Sequence, residues 1–264
     1  MSILRLIIAV LPIILIGLYI YKKDKEKESS NLLFKLFMGG VLSCFPAVII
    51  GLFLSFLFPP IDNMKFFQTF LYVFFVVATV EEVCKWFILY NISYNNNEFD
   101  SLYDMIVYSS FVALGFACFE NILYVSDAGI KIGLLRAITA VPGHVCDGVL
   151  MGFHLSRAKI CHLNNDYNDS KKYKMLSVIV PIISHGIYDF CLFWPTPVFI
   201  IIFILFIIFL FIYCFVKVRN ISLYNIKFKY YVEKKYCVKC GNLVSNNYCT
   251  NCGEKNIKKE QDLT

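Results

Sequence analysis

Val198-Phe-Ile-Ile-Ile-Phe-Ile-Leu-Phe-Ile-Ile-Phe-Leu-Phe-Ile-Tyr-Cys-Phe-Val216 is a run of 19 residues without one charged or strongly polar side chain. At about 1.5 Å of helical rise per residue it crosses a hydrocarbon core of about 30 Å. The rest of the chain agrees with that stretch. Of its 264 residues 58% are hydrophobic and only 17% charged, and mean hydropathy is +0.64, whereas soluble domains are roughly half apolar and a quarter charged. The composition excludes a disordered chain, a secreted disulfide scaffold and a soluble nucleic-acid binder, and no nucleic-acid partner is expected. The fold class is an all-α polytopic membrane protein, with the lipid bilayer as its solvent.

Working outward from 198–216, apolar runs bounded by charge or turn residues predict seven spans, near 3–21, 32–58, 66–92, 102–126, 133–156, 173–194 and 197–216. The first lacks a basic n-region beyond Arg5 and a small-residue cleavage site and ends in Tyr-Lys-Lys, so it reads as a retained span. The basic residues then orient the chain. Lys22, Lys23, Lys25, Lys27 and Lys35 follow the first span. Arg157, Lys159, Lys171, Lys172 and Lys174 follow the fifth, and ten more lie beyond residue 216, so 20 of the 25 fall on one side. The positive-inside rule therefore predicts a cell-membrane protein with its N-terminus outside and its C-terminus in the cytoplasm. Three regions result: a membrane domain over 1–216, a basic juxtamembrane linker over 217–235 and a small tail over 236–264.

Seven of the eleven cysteines are scattered through the spans, as small packing residues. The other four form Cys237-Val-Lys-Cys240-Gly and Cys249-Thr-Asn-Cys252-Gly. Two such knuckles can offer four thiolates to one Zn²⁺, each following Gly allowing the positive φ of a tight turn. A reducing cytoplasmic side argues against two disulfides. The expectation is a zinc ribbon whose Zn²⁺ is structural, since four thiolates leave no open position, and which could receive a cytoplasmic protein partner.

Buried charge carries the functional signal. The third span contains Glu81-Glu82-Val-Cys-Lys85, the fourth Glu120-Asn121, the fifth His144 and Asp147, and the sixth His185-Gly-Ile-Tyr-Asp189. Two carboxylates and an ammonium in one span cost on the order of 9 kcal/mol on insertion scales. Glu81 and Lys85 are spaced i,i+4 with Glu first, a favourable ion-pair order, which leaves Glu82 about 100° round the helix and unaccounted for. Spans one, two and seven bring no such groups, so a polar cavity is expected among spans three to six with the others as scaffold. Arg136, Asp104 and Asp147 lie near span ends and are read most simply as interface anchors.

Carboxylates and imidazoles around a wet cavity can activate water, by general-base action or by holding a metal ion. Glu81 or Glu82 is the candidate base, aided by His144, with His185 and Asn121 as oxyanion donors. In the metal-dependent version Glu120, His144 and His185 become ligands. Serine-hydrolase and His-Glu-x-x-His motifs are missing from the sequence. Two other classes stay open on the residues alone: a proton- or ion-coupled transporter, since buried carboxylates also relay protons, and a non-catalytic scaffold presenting the zinc ribbon.

At these residues the sequence resembles the PrsW family of bacterial intramembrane proteases, of the CAAX-prenyl-endopeptidase-like membrane enzymes. The motifs EExxK, FxxxEN and two later histidines stand here as Glu81-Glu82-Val-Cys-Lys85, Phe116-Ala-Cys-Phe-Glu120-Asn121, Pro142-Gly-His144 and His185-Gly-Ile-Tyr-Asp189. Asp104, Tyr108, Gly115 and Arg136 also resemble family positions. The resemblance covers about residues 70–195. It implies an intramembrane endopeptidase that cuts membrane-anchored protein substrates near the outer face, as in the first cleavage of an anti-sigma factor. It implies a site lined by Glu81, Glu82, Glu120, His144 and His185, supported by Lys85, Asn121 and Asp189, with a catalytic metal left open. The zinc-ribbon tail is not part of the family core.

Overall fold

The computed structural model describes residues 2–59, 63–224, 226–229, 236–237, 239–242, 244 and 248–254. Residues 225 and 230–235 of the linker expected over 217–235, and 238, 243, 245–247 and 255–264 of the tail, lie outside the described residues. The order is α1 (Ile3–Lys23), α2 (Ser30–Ser55), α3 (Phe66–Leu71), a π-helical segment (Tyr72–Ala78), α4 (Thr79–Ser93), α5 (Leu102–Ile138), α6 (Ala140–Leu163), α7 (Tyr167–Phe193) and α8 (Pro197–Tyr224). Among the described residues there is no strand, and an isolated antiparallel bridge joins Ser101 and Lys227.

Helix starts follow local chemistry. Ser29 caps α2 by accepting from Leu32 N at 3.3 Å. Asp104 Oδ2 accepts from Ser101 N at 2.6 Å to open α5, so a free backbone donor is satisfied at the edge of an apolar medium. Asp104 is thereby committed to the helix start, away from the polar cavity described below.

Five helical stretches are long and apolar enough to cross a membrane: α1, α2, α5 with α6 as one 62-residue stretch, α7, and Pro197–Leu223 of α8. The expected seven spans do not map one to one. The 66–92 run does not qualify because the π segment divides it and α4 carries its charges. The expected gap between 126 and 133 is a break in α5 at Gly129, with φ 83° and ψ −171°, a conformation that only glycine adopts at low cost. The expected fifth span runs back along α5 from there: a Cβ on Gly133 would come within 2.6 Å of Val125 and 3.1 Å of Ile8. Residues 130–138 thus already lie against α5 and α1, and α6 continues the same path from Ala140.

The core is centred on α5 and α6, packed all round by apolar side chains such as Tyr103, Met105, Tyr108, Val141 and Leu155. α2 crosses α5 at backbone contact, because Gly40 and Gly115 have no side chain: a Cβ on Gly115 would lie 1.9 Å from Phe37 O. Small residues at helix crossings are the usual basis of close packing in membranes. One end of the bundle gathers the 24–29, 94–101 and 226–229 segments, where Ser29 Oγ donates to Glu98 Oε1 at 2.9 Å and Lys227 Nζ lies 2.6 Å from Glu26 Oε2. At the other end Phe66 packs edge-on to Phe190 and Trp194.

Candidate active site

The π segment leads straight into Thr79, whose backbone N–H and hydroxyl both donate to Phe74 O, the hydroxyl at 2.7 Å. Such i→i+5 turns are rare and frequently found at functional sites. One turn later α4 presents Glu81, Glu82 and Lys85. Lys85 Nζ is 2.6 Å from Glu82 Oε1 and 3.7 Å from Glu81 Oε2. It also lies 3.1 Å from His144 Nδ1 and 4.1 Å from the Phe116 ring centroid. The expected Glu81–Lys85 pair is present, and Glu82, which that pairing left unaccounted for, is the closer partner of the same ammonium. The two neighbours also differ in setting. Glu82 is fully buried, whereas Glu81 is partly exposed and lines two cavities.

His144 bridges α6 to two elements. Nε2 is 2.7 Å from Glu120 Oε2 on α5, and with Lys85 as an ammonium donating to Nδ1, Nε2 carries the proton that Glu120 accepts. Glu120 Oε2 is also 2.9 Å from Arg136 Nη2. His185 on α7 points Nδ1 at Glu82 Oε1, 2.7 Å, and Nε2 at Asp189 Oδ2, 3.3 Å, with Glu81 Oε2 at 3.8 Å. The predicted residues Glu81, Glu82, Lys85, Glu120, His144, His185 and Asp189 are therefore brought together. Asn121 is not among them. It is fully buried, donates Nδ2–H to Ala9 O at 3.0 Å and accepts from Arg136 Nε at 3.2 Å.

Two residues read as interface anchors belong to the site instead. Arg136 is carried to Glu120 by the 130–138 segment, the start of the chain's return along α5. Asp147 lies one turn from His144 on the same face of α6, an i,i+3 spacing that could have found it. One carboxylate oxygen of Asp147 lies within 4.8 Å of ligand atoms from Glu82, His144 and His185, all four being buried.

That group fits a metal ion on its own chemistry. Glu82 Oε2 and Asp147 Oδ1 are buried oxygens without a hydrogen-bond donor, a costly state in an apolar medium that a cation relieves. Two imidazoles with two carboxylates suit first-row divalent metals. Five carboxylates, Glu81, Glu82, Glu120, Asp147 and Asp189, also face only two permanent cations, Lys85 and Arg136. Lys85 already occupies Glu82 Oε1 and His144 Nδ1, so it competes for two of the four donors.

The cavity in front of these groups has a volume of about 490 Å³ and is lined by Glu81, Glu120, Arg136, His144, Asp147, His185 and Asp189 among others. Tyr188 and Thr139 close one side, with the tyrosine hydroxyl donating to Thr139 Oγ1 at 2.9 Å. A second cavity of about 320 Å³ meets it at Tyr72, Val77, Glu81, Glu120 and Tyr124. Neither tyrosine nor α2, which walls the second cavity, was legible as part of the site.

Far from this cluster, Cys237, Cys240, Cys249 and Cys252 form a second group that could hold a metal ion, their sulfurs within 4.8 Å of one another. The knuckles repeat one geometry. Cys237 N donates to Asn242 O and Cys249 N to Glu254 O, both at 2.8 Å, while Gly241 and Gly253 take φ of 75° and 72°. The positive φ expected after each knuckle is present.

Comparison with known proteins agrees with this geometry. Residues 28–216 match the family described as PrsW family intramembrane metalloprotease. The chain is 38% identical over 174 residues to a protein named Protease PrsW from Oceanobacillus iheyensis, covering 66% of this chain and 76% of that one. It is 37% identical over 175 residues to proteins of the same name from Geobacillus kaustophilus and Bacillus subtilis, covering 66% of this chain and 73% and 76% of theirs. No solved structure matches.

Proposed function

From its membership of the PrsW family of intramembrane metalloproteases, which makes the chain a multi-pass membrane peptidase, we propose that it hydrolyses a peptide bond within membrane-anchored proteins with Glu81 as the general base. The observation that carries this is the division of labour on α4. Glu81 lines the cavity and is partly exposed, while Glu82 is fully buried, with Oε1 held by both Lys85 and His185. Glu81 takes a proton from water as its oxygen adds to the peptide carbonyl carbon. The same carboxyl returns that proton to the amide nitrogen as the C–N bond breaks. In the metal-free route His185, which lines the cavity, donates to the carbonyl oxygen as it gains negative charge; as a metal ligand it would leave that role to the ion. Glu120 and Arg136 hold His144 in place, and Asn121 holds Arg136.

Glu82, His144, Asp147 and His185 would hold the metal that the family description names, rather than the Glu120, His144 and His185 set inferred from sequence. A bound divalent ion supplies Lewis-acid polarisation of the carbonyl and a lowered pKa for water.

Seven crossings, with the N-terminus outside and the C-terminus cytoplasmic, remain the topology we propose. The gathering of the 24–29, 94–101 and 226–229 segments at one end supports the crossings, and the excess of basic residues there supports the orientation. The regions 1–216, 217–235 and 236–264 are the corresponding membrane domain, linker and tail, with Zn²⁺ held by the four cysteines. An anti-sigma-factor-like protein is the proposed substrate class.

The test is cleavage of a panel of single-span membrane proteins by the full chain in detergent, with metal content measured alongside. Glu81→Gln and Glu82→Gln should each abolish cleavage while the variants stay folded, and retained cleavage in Glu81→Gln would overturn the assignment. Replacing the four tail cysteines by serine should remove a metal equivalent and leave cleavage intact. Loss of cleavage there would make the ribbon part of the enzyme rather than an appendage.

A further inference from the structure

The second cavity is not explained by catalysis. It holds about 320 Å³, within the roughly 300–1,000 Å³ of ligand sites, and its walls are mostly apolar away from Glu81 and Glu120. α2 lines it with Ala47, Val48, Gly51 and Ser55, spaced three and four apart, which is one face of one helix. Opposite stand Val76 and Val80, on either side of the π segment's end. Gly51 is open: a Cβ built there meets nothing within 4 Å. This is unlike Gly40 on the same helix, where a Cβ would lie 2.0 Å from Val112 O. The absence of a side chain at 51 therefore keeps space in the groove, not a helix contact.

The groove is continuous with the catalytic cavity, since Glu81 and Glu120 line both. A peptide bond cannot be attacked inside a regular helix without freeing its backbone groups, and in hydrocarbon those groups need partners. A substrate must therefore enter locally extended, at about 3.3–3.6 Å per residue. Its apolar part then lies on one side of Glu81 and its polar backbone faces the tyrosines, threonine and arginine on the other. Exposed Phe45, Ile49, Leu52 and Phe53 put α2 at the lipid boundary, so the groove sits where a membrane segment would arrive.

We propose that the groove between α2 and the π segment is the subsite for apolar side chains of the substrate's transmembrane segment next to the cut bond, with Gly51 setting the size it accepts. This rests on the peptidase reading of the site, and it commits α2, previously scaffold, to substrate choice.

The probe is a 20-residue Leu/Ala single-span segment with polar flanks, added to full-length protein in detergent. A photoreactive phenylalanine analogue replaces Val48, which lines the groove, or Phe53, which does not. Glu82→Gln is present so that the segment stays whole. Position 48 should label the segment at least tenfold more than position 53, and Gly51→Trp should cut that labelling about tenfold. Equal labelling at the two positions, labelling of acyl chains alone, or insensitivity to Gly51→Trp would each overturn the proposal. Cleavage of the same segment by protein with native Glu82 is scored separately. Cleavage without labelling at 48 would overturn the groove and leave the peptidase reading standing. Labelling without cleavage would keep the groove and count against the reaction.

Discussion

Replacing Lys85 by methionine tests whether the ammonium is the keystone of the buried cluster. Lys85 is only 2% exposed and Glu82 fully buried, so the variant leaves Glu82 facing His185 alone, with Glu81 3.8 Å from the same ring. Removing one partner of a buried ion pair costs about 3–5 kcal/mol, because the remaining charge is left uncompensated. Glu82→Gln should cost less, about 1.5–3 kcal/mol, the range for a hydrogen bond to a charged group. In that variant Lys85 keeps Glu81 and His144. The double variant removes both charges together, so its loss should fall below the sum of the singles by about 2 kcal/mol. The assay is reversible unfolding in mixed micelles of increasing SDS content, read by the fluorescence of Trp86, which neighbours Lys85 and donates to Ser177 Oγ at 2.8 Å. A loss under about 1 kcal/mol for Lys85→Met, or additivity within about 0.5 kcal/mol, would refute the reasoning.

Two further outcomes follow from the fold. Gly115→Ala should cost about 1–3 kcal/mol in the same assay, because its Cβ would strike Phe37 O at 1.9 Å. Gly51→Ala should be neutral within about 0.5 kcal/mol, and equal effects would remove the close crossing as the cause. The connection between α1 and α2 should make stability fall with rising pH. Burial pushes Asp24 up to about 6, with the nearby Asp104 charge adding to it. Burial pushes Glu28 up to about 9 against the opposing hydrogen bond from Tyr108. Both folded values exceed unfolded values of about 4, so this stability is fully present below about pH 4 and is lost as pH rises through about 6 and then about 9. Asp24→Asn with Glu28→Gln should flatten the profile of unfolding midpoint against pH, and an unchanged slope would refute the assignment.

What was legible in the sequence was whatever hydrocarbon makes expensive. Glu81, Glu82, Lys85, Glu120, His144 and His185 stood out because each is costly in an apolar span, and the structure brings all six into one cluster. The turns at Gly241 and Gly253 were legible because few residues tolerate positive φ, and the expected gap between 126 and 133 holds the break at Gly129. The remainder depends on rotation and path, which composition does not encode. The π segment has no side-chain signature, so neither the division of the 66–92 run nor the direction of α4's face followed from it. Arg136 was taken for an anchor because its place near a span end does not say that it faces Glu120, and Asp147 was taken for one although its spacing from His144 put both on one face. Asn121 was assigned to the cavity from its place beside Glu120, yet the next residue on a helix points about 100° away, towards α1.

The same 100° separates Glu81 from Glu82, and it accounts for how two identical side chains acquire different tasks. Glu82 turns inward, where Lys85 and His185 hold it at 2.6 and 2.7 Å. A carboxylate so tightly held is a poor proton acceptor for a substrate it cannot reach, but it fixes the geometry of both cations. Glu81 turns toward the cavity, with its nearest cationic atoms at 3.7 and 3.8 Å, beyond hydrogen-bond length. It is near enough to Lys85 and His185 to share their charge and free enough to bind water. In the reaction we propose, two adjacent carboxylates in one span are therefore not redundant. The inner one positions Lys85 and His185, and the outer one is left available to take the proton from water.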